Sequence, residues 1–176
     1  MSADLDGRIG GNSTQQVAVV RREGELAVVA LKPFAIGDEV MQIEGPVVAQ
    51  PSRYSVQIGE HAHVDVSWEA DRDAPGRHSW LFLNHACDPS AVLRGRHLVA
   101  RRAIAVGGEV TFDYATTEWD MATPFVCHCG SSQCRGRVLG YRHLTDEQRA
   151  ALPEVAAHLR QRMAPERRVA SMRGSA

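Results

Sequence analysis

Long apolar runs are missing from this chain. No stretch of its 176 residues approaches the ~20 consecutive apolar residues of a membrane-spanning helix. Nothing at its start has the form of a secretory signal, so an intracellular, cytoplasmic location is expected. Surplus charge is missing as well. The net charge is −1, which gives no reason to expect a membrane surface or direct nucleic-acid binding. Lysine is nearly absent: Lys32 stands alone against nineteen arginines, a bias that GC-rich coding explains. No internal repeat is evident, and nothing in the pattern fixes an oligomeric state. The length fits one domain with a substantial core.

Short β-branched runs come first. Gln16 to Val20 and Leu26 to Ala30 flank a turn at Arg21 to Gly24 and read as a hairpin. Glu39 to Ile43, Pro46 to Ala49, a second hairpin of Tyr54 to Ile58 with His63 to Val66, Leu98 to Ile104, and Val110 to Tyr114 are further strands. Many short strands at close spacing predict a β-rich fold. The convincing helix is late. Thr145 to Gln148 has the capping-box form. Leu152, Val155, Ala156, Leu159 and Met163 then recur at helical spacing, and Pro153 is expected to divide the helix in two.

Cysteine is scarce, and its placement is informative. Of four cysteines, Cys127, Cys129 and Cys134 form a C-x-C-x4-C cluster, and Cys87 lies forty residues upstream. Such spacing is a metal signature, and four thiolates suit tetrahedral Zn²⁺. The alternative is four unrelated buried thiols. A disulfide framework would need an oxidising compartment. Arg135 and Arg137 beside Cys134 would offset the surplus negative charge of a four-thiolate site.

Three motifs stand in order: Asn84-His85-x-Cys87-x-Pro89, then Gly108-Glu109-x-Thr111-x-Asp113-Tyr114, then C-x-C-G-x3-C-R-G from Cys127 to Gly136. Together they resemble the SET-domain methyltransferase family with its post-SET zinc motif. The resemblance implies a SET fold: small curved β-sheets, a C-terminal pseudoknot in which the chain threads under a preceding loop, a zinc-bound post-SET segment and a C-terminal helix. It divides the chain into a flexible arm (1–14), the SET domain (15–122), the post-SET zinc segment (123–140), the C-terminal helix (141–163) and a disordered tail (164–176).

The resemblance further implies S-adenosylmethionine (AdoMet) as methyl donor and Zn²⁺ held by Cys87, Cys127, Cys129 and Cys134. Tyr114 matches the family's catalytic tyrosine. Asn84 and His85 match the pair that holds AdoMet, and Tyr54 matches a tyrosine of the cofactor pocket. Phe112 stands where an aromatic residue influences the number of methyls added. The segment Ala115 to Phe125 reads as a metal-pinned lid, with Glu118 and Trp119 as substrate contacts. One departure is notable: where the family carries Gly-x-Gly, this chain has Glu25-Leu26-Ala27, so side chains replace open backbone beside the cofactor. The expected activity is AdoMet-dependent methyl transfer to an amine, most readily a protein lysine. A free amino acid or other small amine is the alternative acceptor. A zinc-stabilised binding module without turnover is a third reading, favoured by Glu25 and Ala27 and opposed by Tyr114, Asn84 and His85.

Overall fold

The structure is a computed structural model and describes residues 8–10, 16–22, 24–69 and 76–163. The fold is β-rich, built from five small sheets. The first holds β1 (Arg8–Gly10), β2 (Val17–Arg22) and β3 (Glu25–Ala30) in that order. β1 falls where the sequence suggests a loose arm, and it pairs antiparallel with β2. The predicted hairpin of β2 and β3 is present, with Val17 opposite Ala30 and Arg22 opposite Glu25.

The apolar runs of this hairpin do not alternate with polar residues because both faces are covered. Val17, Val19, Val28 and Ala30 enter the main core. Ala18, Val20, Ala27 and Val29 form a second cluster on the opposite face. In a strand, successive side chains point to opposite faces, so burial on both sides demands continuous apolar sequence.

A second sheet orders β4 (Glu39–Gln42), β10 (His97–Ala100) and β9 (Ala91–Arg94). A third orders β5 (Val47–Val48), β7 (Ala62–Val64) and β6 (Val56–Gly59). The Tyr54–Val66 hairpin thus forms as expected, while β9 is a strand the sequence reading leaves out. Two look-alike turns join the first two sheets. Phe34-Ala35-Ile36-Gly37 and Ile104-Ala105-Val106-Gly107 bond to each other, Phe34 N–H to Ile104 O at 2.9 Å and Ile104 N–H to Phe34 O at 3.0 Å.

The site lies where distant chain segments meet. β8 (Asn84–His85) pairs in parallel with β11 (Thr111–Phe112). A short 3-10 turn, Tyr114–Thr116, follows at once. β12 (Phe125–Val126) and β13 (Arg137–Val138) then bracket the cysteine cluster as an antiparallel pair. The capping box forms at Thr145, opening α1 (Asp146–Ala150). After Pro153 the chain resumes as α2 (Ala157–Met163). Leu159 of α2 is fully buried, whereas Met163 is exposed. The tail expected at 164–176 lies outside the described residues.

Candidate active site and metal centre

The four cysteine sulfurs lie within 4.8 Å of one another, and the Cys87 and Cys127 sulfurs are 3.9 Å apart. Tetrahedral Zn–S bonds of about 2.3 Å require S···S separations of roughly 3.8 Å, so the Cys87–Cys127 pair already has that spacing and the cluster is close to the size of a four-thiolate Zn²⁺ site. Burial pushes the Cys127 thiol up to about 12. A divalent cation is what lets such thiols ionise together. The Arg135 backbone N–H donates to Cys87 Sγ at 3.4 Å. Its guanidinium interacts favourably with charge on Cys87 and Cys127, as expected, and Arg135 Nη2 also bonds Asp113 Oδ1 at 2.6 Å. Arg137 is exposed.

This Asp113–Arg135 pair is buried on both sides, with side chains 0% and 10% exposed. Asp113 stands between Phe112 and Tyr114, and Arg135 follows Cys134. The cysteine-bearing strap is therefore clamped to the Phe112–Tyr114 stretch by a buried ion pair. His85 adds a second link. Its Nδ1 accepts the Tyr114 backbone N–H at 3.2 Å, and its Nε2 lies 3.3 Å from Cys87 Sγ. Burial lowers the His85 pKa to about 4, so the ring is neutral and can accept at one nitrogen while donating at the other.

Tyr114 projects from the end of the β11 stretch. Its hydroxyl donates to the Leu83 carbonyl at 2.5 Å. Burial raises its pKa well above the ordinary phenol range, and the charges of Glu118 and Glu109 add to this. Its ring meets Phe112 at 4.8 Å, His85 at 5.3 Å and Phe125 at 5.9 Å. Tyr114 lines a narrow cavity of ≈ 60 Å³, walled also by Tyr54, Leu83, Phe112, Glu118 and Met121. Arg53, Trp80 and Leu81 line it as well.

Tyr54 stacks on Trp68, centroids 4.1 Å apart and 8° from parallel. The Arg53 guanidinium lies 5.4 Å from the Tyr54 ring. Asn84 is braced from two sides: its Nδ2 donates to Leu26 O at 3.1 Å and to Glu109 Oε1 at 2.9 Å. Its Oδ1 takes no hydrogen bond among the described residues. Of Glu25, Leu26 and Ala27, only Leu26 reaches this neighbourhood. Glu25 is exposed, and Ala27 packs in the second cluster on the opposite face of the sheet. Strand alternation is the reason.

The lid differs from its expected form. Ala115, Thr116, Thr117 and Glu118 are 1%, 3%, 2% and 6% exposed, so the first part of the segment is core. C-terminal residues bond its carbonyls: Ala156 N–H to Thr116 O at 2.9 Å, Tyr141 N–H to Glu118 O at 2.8 Å and Arg142 N–H to Trp119 O at 3.1 Å. Gly140 permits this approach. A Cβ there would stand 2.7 Å from both the Trp119 O and the Asp120 Cα, and its φ is +109°. Trp119 turns away from the cavity, toward Tyr141 at 6.2 Å and the Arg162 guanidinium at 4.3 Å. Glu118 faces the cavity, and Trp119 does not. Arg53, Trp68 and the Asp113–Arg135 pair are the residues that motif reading missed. An aromatic one residue from an arginine, at Tyr54, was the available signal for Arg53.

The SET domain family pattern matches residues 25–115. The chain belongs to the SET domain family. Methyltransferase flvH of Aspergillus flavus is 42% identical over 64 residues, covering 34% of this chain and 36% of that protein. The probable histone-lysine N-methyltransferase set-23 of Caenorhabditis briggsae is 31% identical over 110 residues, covering 57% of this chain and 45% of the relative. The matched regions thus span under half of these relatives. A crystal structure of KRYPTONITE in complex with mCHG DNA and SAH superposes with a TM-score of 0.54 at 22% identity, covering 70% of this chain and 29% of that one. This likeness establishes the SET fold. Among the described residues no helix is long and apolar enough to cross a membrane.

Proposed function

We propose that this SET domain is an AdoMet-dependent methyltransferase acting on an amine, with a protein lysine side chain as the acceptor class. The observation that carries the reading is Tyr114, its hydroxyl fixed on Leu83 O inside a cavity walled by Tyr54, Phe112 and Glu118. Of the groups present, the Arg53 guanidinium would suit the carboxylate of AdoMet and the unused Oδ1 of Asn84 its ammonium. AdoMet supplies a methyl group already activated by its cationic sulfur.

What the protein adds is alignment and exclusion of water. The Tyr114 hydroxyl spends its proton on Leu83 O, so its oxygen remains an acceptor toward an incoming amine or a polarised C–H. Its raised pKa keeps it neutral while it does so. The donor's own positive charge disfavours a charged ammonium beside it. Cys87, Cys127, Cys129 and Cys134 would hold Zn²⁺, whose part is to fix the strap. His85 and Arg135 pass that constraint to Tyr114. Support for a lysine acceptor comes from the relatives named histone-lysine methyltransferases. The relative named only as a methyltransferase keeps a small free amine as the second reading.

The test is transfer of labelled methyl from AdoMet to a lysate separated by size, with calorimetry for AdoMet binding alongside. Label on protein bands supports lysine as acceptor, and label confined to small molecules moves the assignment to free amines. Failure to bind AdoMet removes the enzyme reading.

A further inference from the structure

Glu118 is a buried acid that pairs with no cation among the described residues. Its side chain belongs to a residue 6% exposed. Both hydrogen bonds to its carboxylate end on Oε1: from the Gln57 backbone N–H at 2.7 Å and from the Thr117 hydroxyl at 3.4 Å. Oε2 receives no donor among the described residues, although Glu118 walls the cavity beside Tyr114. Among the described residues, the charged or titratable groups on the elements packed around it are Tyr114, Arg53, Glu60, His63 and His158. None of them bonds the carboxylate. Arg53 stands over Tyr54, and His158 Nε2 lies 2.8 Å from the Thr117 carbonyl oxygen. Buried carboxylates are ordinarily paired, and leaving one unpaired is costly. An apolar wall at this position would close the cavity at no such cost.

We propose that Glu118 is the seat for the acceptor's cationic amine and takes its proton before methyl transfer. This rests on the methyltransferase reading only for its second step. In the first step a primary alkylammonium ion-pairs with Oε2. One N–H bond then breaks as an O–H bond forms on Glu118, and the electron pair stays on nitrogen. That lone pair attacks the methyl carbon of AdoMet: the N–C bond forms as the S–C bond breaks, its electron pair leaves with sulfur as the neutral thioether, and Glu118 afterwards returns its proton to water. A free alkylammonium has a pKa of about 10.4, so at neutral pH it needs an acceptor of this kind. Burial pushes the Glu118 pKa up to about 7, which matches the acceptor to its task.

The probes are n-butylamine, which has the chemistry common to a free amine and a lysine side chain, and a blocked lysine tripeptide. Binding is measured first, by calorimetry without AdoMet. The wild-type protein is expected to bind n-butylammonium roughly tenfold more tightly at pH 8 than at pH 6, following ionisation of a carboxyl near 7. Affinity independent of pH over that range overturns the proposal, and this arm needs no variant. Glu118→Gln keeps an acceptor for the Gln57 N–H and is expected to lose at least about tenfold in affinity at pH 8. Equal affinity likewise overturns the proposal.

Turnover follows. Glu118→Gln should fall about tenfold or more at pH 7 and regain rate as the pH approaches that of the free amine. A pH profile identical to wild type refutes the proton step. If Glu118-dependent binding holds but neither probe is methylated, the methyltransferase reading fails and the amine seat stands. Methylation of the tripeptide but not of n-butylamine assigns the seat to a lysine side chain, and the reverse assigns it to a free amine.

Discussion

Replacing Arg135 by methionine isolates the clamp between the cysteine-bearing strap and the Phe112–Tyr114 stretch. Methionine fills similar space without charge, so the chief loss is the bond from Arg135 Nη2 to Asp113 Oδ1. Asp113 is fully buried, and its Oδ2 already lacks a partner. Removing one member of a buried pair strands the other charge, at about 3–5 kcal/mol. The Ala115 N–H still donates to Asp113 Oδ1 at 3.0 Å, which favours the lower part of that range. With a urea m-value of about 2 kcal/mol/M, the midpoint should fall by roughly 1.5–2 M. The assay is urea unfolding at pH 7 of zinc-loaded protein, with bound zinc measured in both proteins. Adding Asp113→Asn removes the stranded charge and keeps an acceptor for the Ala115 N–H, so the double variant should recover most of the loss. A midpoint for Arg135→Met within about 0.3 M of wild type, well inside the shift worked above, or no recovery in the double variant, would refute the clamp.

Three further outcomes are expected. Leu159→Ala, at a fully buried position, should cost about 2–5 kcal/mol and loosen the C-terminal cover over Thr116 to Glu118; a loss below about 1 kcal/mol in urea unfolding would mean that α2 is not part of the core. Cys129→Ser, or chelation of the wild-type metal, should weaken AdoMet binding by about tenfold or more through the strap, and unchanged affinity by calorimetry would separate metal from cofactor site. Glu118 has a folded pKa of about 7 against an ordinary 4.5; the folded state therefore holds its proton more tightly, and stability falls as pH rises from 4.5 to about 7. Glu118→Gln should lack that slope and be the more stable protein at pH 8, by roughly 3 kcal/mol. An equal pH slope in both proteins would contradict the assignment.

What the sequence conveyed well was contiguous. Asn84-His85-x-Cys87, the stretch ending at Tyr114 and the cysteine cluster each carry their meaning in local spacing, and the structure brings all three together. The capping box at Thr145 was legible for the same reason. Strand alternation separates Leu26 from Glu25 and Ala27, a distinction that comparing motif positions does not draw. The 3-10 turn after Asp113 directs Glu118 into the cavity and Trp119 out of it, which a straight reading of the lid could not anticipate. Arg135 seemed to belong to its neighbour Cys134. Its partner Asp113 is far away in sequence, and only the folded chain reveals the pair. Strand β9 was overlooked because Ala91 to Leu93 is an apolar run without alternation, the mark of burial on both faces.

The central claim is that Tyr114 works at the reacting end of an amine-binding cavity. The most direct measurement is single-turnover transfer of labelled methyl by Tyr114→Phe, beside AdoMet binding and urea unfolding of the same variant. A rate lower by about 10²-fold or more, with AdoMet affinity and stability close to wild type, is expected. An unchanged rate would contradict the account.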